Sequence, residues 1–192
     1  MPHDAGVYRV ELLGEGKSGP VVVANVPVYV DVDEPAEIPA GASRVSNSAE
    51  DEPPAEQVPA PVQVEERILR LLNEARAEAR VGTVVADDVL ASIARAHSLD
   101  MADHGFFGHV SPTTGGPGDR LQQAGLRLAS YGENLARASS AREAFATLMD
   151  SPAHRGSMLD PHFTHVGIGA VVRPQAAGGD PFITVTLVLA SR

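Results

Sequence analysis

The stretch YGENL, Tyr131 to Leu135, sets Glu133 between a glycine and an asparagine, and six of the seven histidines fall between residues 97 and 165. A carboxylate and neutral imidazoles can do two kinds of chemistry together. They ligate a divalent cation when their donors converge to about 2.0–2.2 Å from one point, or they hold and move a proton without a metal. Spacing separates the histidines. His97 and His104 are seven apart on a predicted helix, hence about 10 Å apart along its axis, too far to share one ion. His97 sits on an apolar stripe and reads as a core histidine, and His104 as a helix C-terminal residue favoured by the macrodipole. His109 lies in the loop FFGHVSP between Gly105 and Pro112, where sites are commonly built. His154 falls in the first turn of a short helix. His162 and His165, three apart at a strand entrance, point to opposite faces in extended backbone. Glu133 with His109 is therefore the leading candidate pair, either as ligands or as a structural carboxylate and its partner. Ser111, two residues beyond His109, is a candidate nucleophile that this histidine would activate. No H-E-x-x-H, no G-x-S-x-G and no cysteine offers a more specific signal.

The elements that position these residues follow from periodicity. Val64, Ile68, Leu71, Leu72, Ala75 and Ala79 predict an amphipathic helix ended by Gly82. A second helix, capped by Asp87 or Asp88, carries Leu90, Ala94, His97, Met101 and His104 on one face until Gly105. SAREAFATLMD predicts another, capped by Ser139 or Ser140, and Ser151 followed by Pro152 predicts a short helix start. The period then drops to two in FTHVGIGAVV and FITVTLVLA, strands joined across RPQAAGGDP. Helices first and strands last, without βαβ alternation, indicate an α+β class with an antiparallel sheet.

Three segments emerge. Residues 1–30 read as a β-hairpin, and DAGVY resembles the corner before the penultimate strand of immunoglobulin-like sandwiches, so the hairpin reads as the remnant of such a domain or as an independent flap. Residues 31–61 hold eight acidic residues against Arg44 alone, among six prolines, and read as a disordered linker. Residues 62–192 form the main domain, whose acids and arginines alternate without a basic stripe, so nucleic acid is not an expected partner. The hydrophobic fraction of 43% suffices for a core, no apolar run is long enough to cross a bilayer, and no basic-then-apolar leader opens the chain.

LLNEARAEARVG, LASIARAHSLDMADHGFFGHVSP, YGENLA, SPAHRGSML and FTHVGIGAVV, in this order, resemble the bacterial, SCP-like branch of the CAP superfamily over about residues 64–190. That superfamily includes cysteine-rich secretory proteins, antigen-five allergens and plant pathogenesis-related proteins. The resemblance implies an α-β-α sandwich with a groove whose floor carries two histidines and two glutamates. His109, Glu133 and His162 match three of the four, with Gly132 allowing a turn that projects Glu133 into the groove. The second glutamate falls near Ser151, so this chain lacks it, and His154 of SPAHR is a further groove candidate together with Ser151 and Asn134. With one carboxylate fewer, a cation (zinc first, calcium or magnesium otherwise) would be held more weakly.

The resemblance further implies an extracellular or envelope location. Its members share no single reaction, so function is left to the site itself. The leading expectation is a binding module holding a lipid, peptide or glycan, its partner a small ligand or an envelope component. The alternatives are a peptidase-like hydrolase using His109, Glu133 and Ser111, and a structural adhesion module.

Overall fold

The computed structural model describes residues 6–16, 19–30, 59–173 and 182–191, the first two segments by their backbone. The acidic stretch from 31 to 58, the connection 174–181 and the Tyr8 side chain on which the immunoglobulin-like reading rests lie outside the described residues. Strand β1 (Gly6–Gly16) pairs antiparallel with β2 (Gly19–Val30), with a register shift between Leu12 and Leu13.

Helix α1 (Pro61–Glu78) begins on Pro61, whose fixed φ suits the first turn. It ends through Arg80 in the left-handed region at φ 59°, with Val81 N–H returning to the Arg76 carbonyl at 3.0 Å. Gly82, the expected terminator, lies two residues further on. Helix α2 (Asp88–His104) is capped by Asp87, which accepts from the N–H groups of Val89 and Leu90, and closes on Gly105 at φ 69°. Helix α4 (Ala141–Asp150) is capped by Ser140, and α5 (Pro152–Met158) begins with Pro152 in its first turn. Ser151 occupies the N-cap position of α5, but its side chain makes no capping bond.

The three long strands, β4 (Tyr131–Ala138), β5 (His165–Arg173) and β6 (Phe182–Ala190), are antiparallel as expected. A two-residue strand, β3 (Val85–Ala86), adds a parallel edge beside β5, making a mixed sheet of order β3-β5-β6-β4. Two elements go beyond the periodicity. YGENLARA is an edge strand rather than a turn, and PGDRLQQ forms helix α3 (Pro117–Gln123).

Helices α1, α4 and α5 cover one face of the sheet over the larger apolar core, which includes Ile68, Leu72, Phe145, Leu148, Met158 and Leu187. Helices α2 and α3 cover the other face over a much smaller cluster, among them Leu90, Ile93, Leu121 and Val188. The second cluster is small because glycines let backbone meet backbone. A Cβ on Gly167 would lie 2.0 Å from the Leu90 carbonyl carbon, and one on Gly169 would lie 2.0 Å from the Arg95 nitrogen. Ser98 tightens this contact by bonding to the Gly169 carbonyl and to the Thr186 hydroxyl, both at 2.8 Å.

Two buried polar anchors complete the frame. Arg76, fully buried, donates to the carbonyls of Gly82, Met158, Asp160 and Phe163, tying α1 to the loop before β5. Burial, partly offset by the charge of Asp160, lowers the pKa of this guanidinium. Glu65 on α1 accepts a bidentate pair from Arg95 at 2.8 and 2.6 Å and the Ala170 N–H at 3.0 Å.

Because the α2–β5 contact is between main chains, no side chain can move aside. Gly169→Ala should cost about 3 kcal/mol or more, read as a lower midpoint in urea unfolding. Arg80→Gly, which removes a left-handed non-glycine residue, should raise stability by about 1 kcal/mol in the same assay.

Candidate functional site

The two residues of the leading pair meet, and the bond between them is short. His109 Nδ1 lies 2.8 Å from Glu133 Oε1. Glu133 stands on β4 opposite Val188 of β6, so its side chain shares the α2 face of the sheet, with 2% of it exposed. A carboxylate so far from water requires compensation, which His109 shares with Arg120. Arg120 Nη2 donates to both carboxylate oxygens, at 2.9 and 2.7 Å. Its Nη1 donates to the carbonyls of His109 at 3.1 Å and Gly115 at 2.7 Å. The arginine therefore joins the strand, the loop and its own helix.

Local chemistry explains how Arg120 gets there. The loop after α2 folds back on itself through paired backbone bonds between Ser111 and Gly115. Gly115 turns the chain at φ 77°, where a Cβ would meet Asp119 Oδ2 at 2.5 Å. That Asp119 oxygen accepts the Gly116 N–H at 2.8 Å and starts α3, whose second turn presents Arg120 inward.

A second imidazole approaches the same carboxylate. His97, fully buried on α2, places Nε2 at 3.0 Å from the Gly108 carbonyl and 3.8 Å from Glu133 Oε1. Its ring lies beside that of Phe106, with centroids 6.0 Å apart. The expectation of a core histidine thus holds for burial, but the ring also belongs to the network around Glu133. Burial foremost, with the Arg120 charge, lowers the His97 pKa and keeps the ring neutral, although Glu133 opposes the shift. For Glu133 burial alone would raise the pKa. The hydrogen bond from His109 and the charge of Arg120 outweigh it and hold the carboxyl below the usual range.

The remaining candidates are placed elsewhere. Ser111 is buried, but its hydroxyl donates to Asp100 on α2, while its oxygen accepts the N–H groups of Thr113 and Thr114, each at 3.0 Å. Asp100 also pairs with His104 at 2.8 Å. Ser111 is thus the fastener of the His109 loop to α2. Asn134, next to Glu133 on a strand, points to the opposite face and donates to Ser157 of α5 at 3.3 Å. Gly132 shares that face and is no turn residue: a Cβ there would lie 2.8 Å from Ser157 Oγ. Its smallness lets α5 approach β4. His154 is buried in the first turn of α5, in one row with Ser157 and Met158. His162 is 82% exposed and bonds to Asp160 at 2.8 Å. Ser151 lies at the junction of α4 and α5.

A resident divalent cation at Glu133 fits this donor set poorly, since Arg120 already occupies both carboxylate oxygens with a fixed positive charge. Among the described residues, no set of three His, Asp or Glu side chains is disposed to hold a metal ion. Sequence reasoning missed Arg120. The usable signal was the need of a buried carboxylate for a cation, because Arg120 and Arg127 are the only basic residues besides histidine between His109 and Glu133.

Comparison with known proteins places this geometry in context. The model of the CAP family, described as the cysteine-rich secretory protein family, matches residues 69–188. YkwD of Bacillus subtilis (strain 168) is 36% identical over 108 residues, which is 56% of this chain and 42% of that protein. The crystal structure of an extracellular SCP-domain protein from Bacillus anthracis aligns with a TM-score of 0.60 at 30% identity, covering 69% of this chain and 41% of that one. A cysteine-rich secretory protein from Staphylococcus aureus shares the fold with a TM-score of 0.55 at 18% identity, over 71% of this chain and 41% of that one. The chain thus spans less than half the length of these relatives. Among the described residues no helix is long and apolar enough to cross a membrane.

The ion pair makes a prediction with a sign. In the native chain the folded Glu133 pKa lies below the unfolded one, so its contribution is present above the unfolded pKa and lost as pH falls through the folded one. Arg120→Met strands the buried carboxylate and should cost about 3–5 kcal/mol at neutral pH. With its cation gone, burial raises the folded Glu133 pKa, so the variant should regain stability as pH falls toward about 4.5. Urea unfolding of both proteins from neutral pH to below about 4.5 checks this: as pH falls, Glu133 should give the variant a gain above about 4.5 and the native chain a loss only below it.

Proposed function

The chain belongs to the CAP family, the cysteine-rich secretory proteins, and from that premise we propose that it is a secreted or envelope-associated bacterial binding module whose ligand, a lipid, peptide or glycan, is received at His109. The observation that carries this reading is the saturation of Glu133. Its two oxygens take three short hydrogen bonds from Arg120 and His109. A carboxylate held below the ordinary range by these partners is a poor general base. Its work is to fix a ring. With Nδ1–H committed to Glu133, Nε2 is the ring's remaining nitrogen; it is itself buried, so a ligand would meet the ring at its partly exposed edge. Two large side chains near it in the chain or on the same strand face are exposed: Val110 at 72%, and Tyr131, two residues before Glu133, at 41%. Exposed hydrophobic and aromatic surface on the segments that carry His109 and Glu133 suits a ligand with a polar group on an apolar body.

The hydrolase reading has less support. A Ser111 hydroxyl that donates to Asp100 and accepts two backbone N–H groups is a turn-forming oxygen rather than a nucleophile awaiting His109.

Full-length protein and its His109→Ala variant, titrated with a fluorescent sterol, phospholipid vesicles and peptidoglycan fragments, test the reading. At least one probe should bind the native chain and lose about tenfold in affinity in the variant, a difference of about 1.4 kcal/mol. Fluorescent casein should stay intact with both. Casein cleavage that disappears with His109 would replace the binding module by a peptidase. Zinc titrated calorimetrically into native and Glu133→Gln protein should give the same isotherm, and zinc binding that depends on Glu133 would restore the cation.

A further inference from the structure

His97 is not part of the motif pair, yet it reaches the site through the main chain. Gly108, whose carbonyl lies 3.0 Å from His97 Nε2, immediately precedes His109. A carbonyl oxygen only accepts, so the proton of the neutral ring belongs on Nε2, and Nδ1 is left bare. The alternative tautomer fails on two counts. It would set two acceptors against each other at Gly108, and it would bury a donor at Nδ1, an atom that has no hydrogen-bond partner. The carbonyl on the other side of the His109 α-carbon, its own, is held by Arg120 Nη1 at 3.1 Å. Both peptide carbonyls flanking His109 are thus anchored by side chains that also approach Glu133, at 3.8 Å from His97 and 2.7 Å from Arg120. The anchor at His97 is rigid, because its helix lies on Gly167 and Gly169 without side-chain play and the next residue, Ser98, is bonded to β5 and β6.

We propose that His97 is a positioning residue for His109: its Nε2–H holds the Gly108 carbonyl and so sets the loop at which the His109 ring can donate Nδ1–H to Glu133. This deepens the reading of His109 as the ligand-facing group, and the test reads the ring itself, so a failure here is separate from a failure to bind a ligand.

The experiment is nitrogen-15 imidazole spectroscopy on the uniformly labelled full chain, native and with His97→Leu and His97→Gln. The native spectrum should show His97 protonated on Nε2 alone, coupled across the hydrogen bond to the Gly108 carbonyl carbon, and His109 protonated on Nδ1. In His97→Leu the His109 Nδ1–H resonance should be lost to solvent exchange. His97→Gln, whose amide N–H can reach the same carbonyl, should retain it. A native His97 protonated on Nδ1 overturns the proposal whatever the variants do, which keeps it testable if His97→Leu fails to fold. A folded His97→Leu with an unchanged His109 ring overturns it equally.

Discussion

A carboxylate that has given up nearly all contact with water governs this side of the molecule. Glu133 is tolerable where it stands only because a guanidinium meets both of its oxygens and an imidazole meets one of them again. The demand propagates outward. To deliver Arg120, the chain must reverse at Gly115, start a helix at Gly116 and stop it before Gly125, which is again left-handed at φ 77°. To deliver His109, the preceding loop must fold back on itself and be fastened to α2 through Ser111 and Asp100. The irregular stretch between α2 and β4 therefore has a definite shape because a single charge requires it, and little apolar burial is needed to explain it.

The two faces of the sheet divide the labour. Beneath α1, α4 and α5 lies a large apolar core of interlocking side chains. Beneath α2 and α3 the apolar cluster is small, and fixed polar groups and main-chain contact replace much of it. A hydrophobic core tolerates repacking as long as volume is kept, whereas a charge network tolerates little change in distance. Placing the network on the face with the least adjustable packing keeps its distances constant while the other face absorbs variation.

Much of this frame was legible in the chain. The helical period of α1, α2 and α4 and the alternation of β5 and β6 carry enough residues to be unambiguous, and Asp87, Ser140 and Pro152 mark helix starts by their own chemistry. Helix α3 was not legible, because seven residues with glycine and proline in front present no period. Strand β4 was missed for a different reason: YGENLARA lacks β-branched residues, and its polar centre looks like a turn when its neighbours in space are unknown. That one misreading carried two others with it, since a strand at 131–138 sets Asn134 on the face away from Glu133 and gives Gly132 a packing role. Residue chemistry and loop position singled out His109 and Glu133 and the motif resemblance agreed, but Arg120 and the approach of His97 depend on distances that spacing along the chain does not encode.

The main-chain contact of α2 with Gly167 and Gly169 also gives the domain a stationary mounting plate. Residues 92, 96, 99 and 103 on α2 are exposed while the helix beneath them cannot shift. A probe, tether or crosslinker attached there would ride on the same rigid body as His97. Its reported motion would be that of the frame, against which any movement of the His109 loop can be measured.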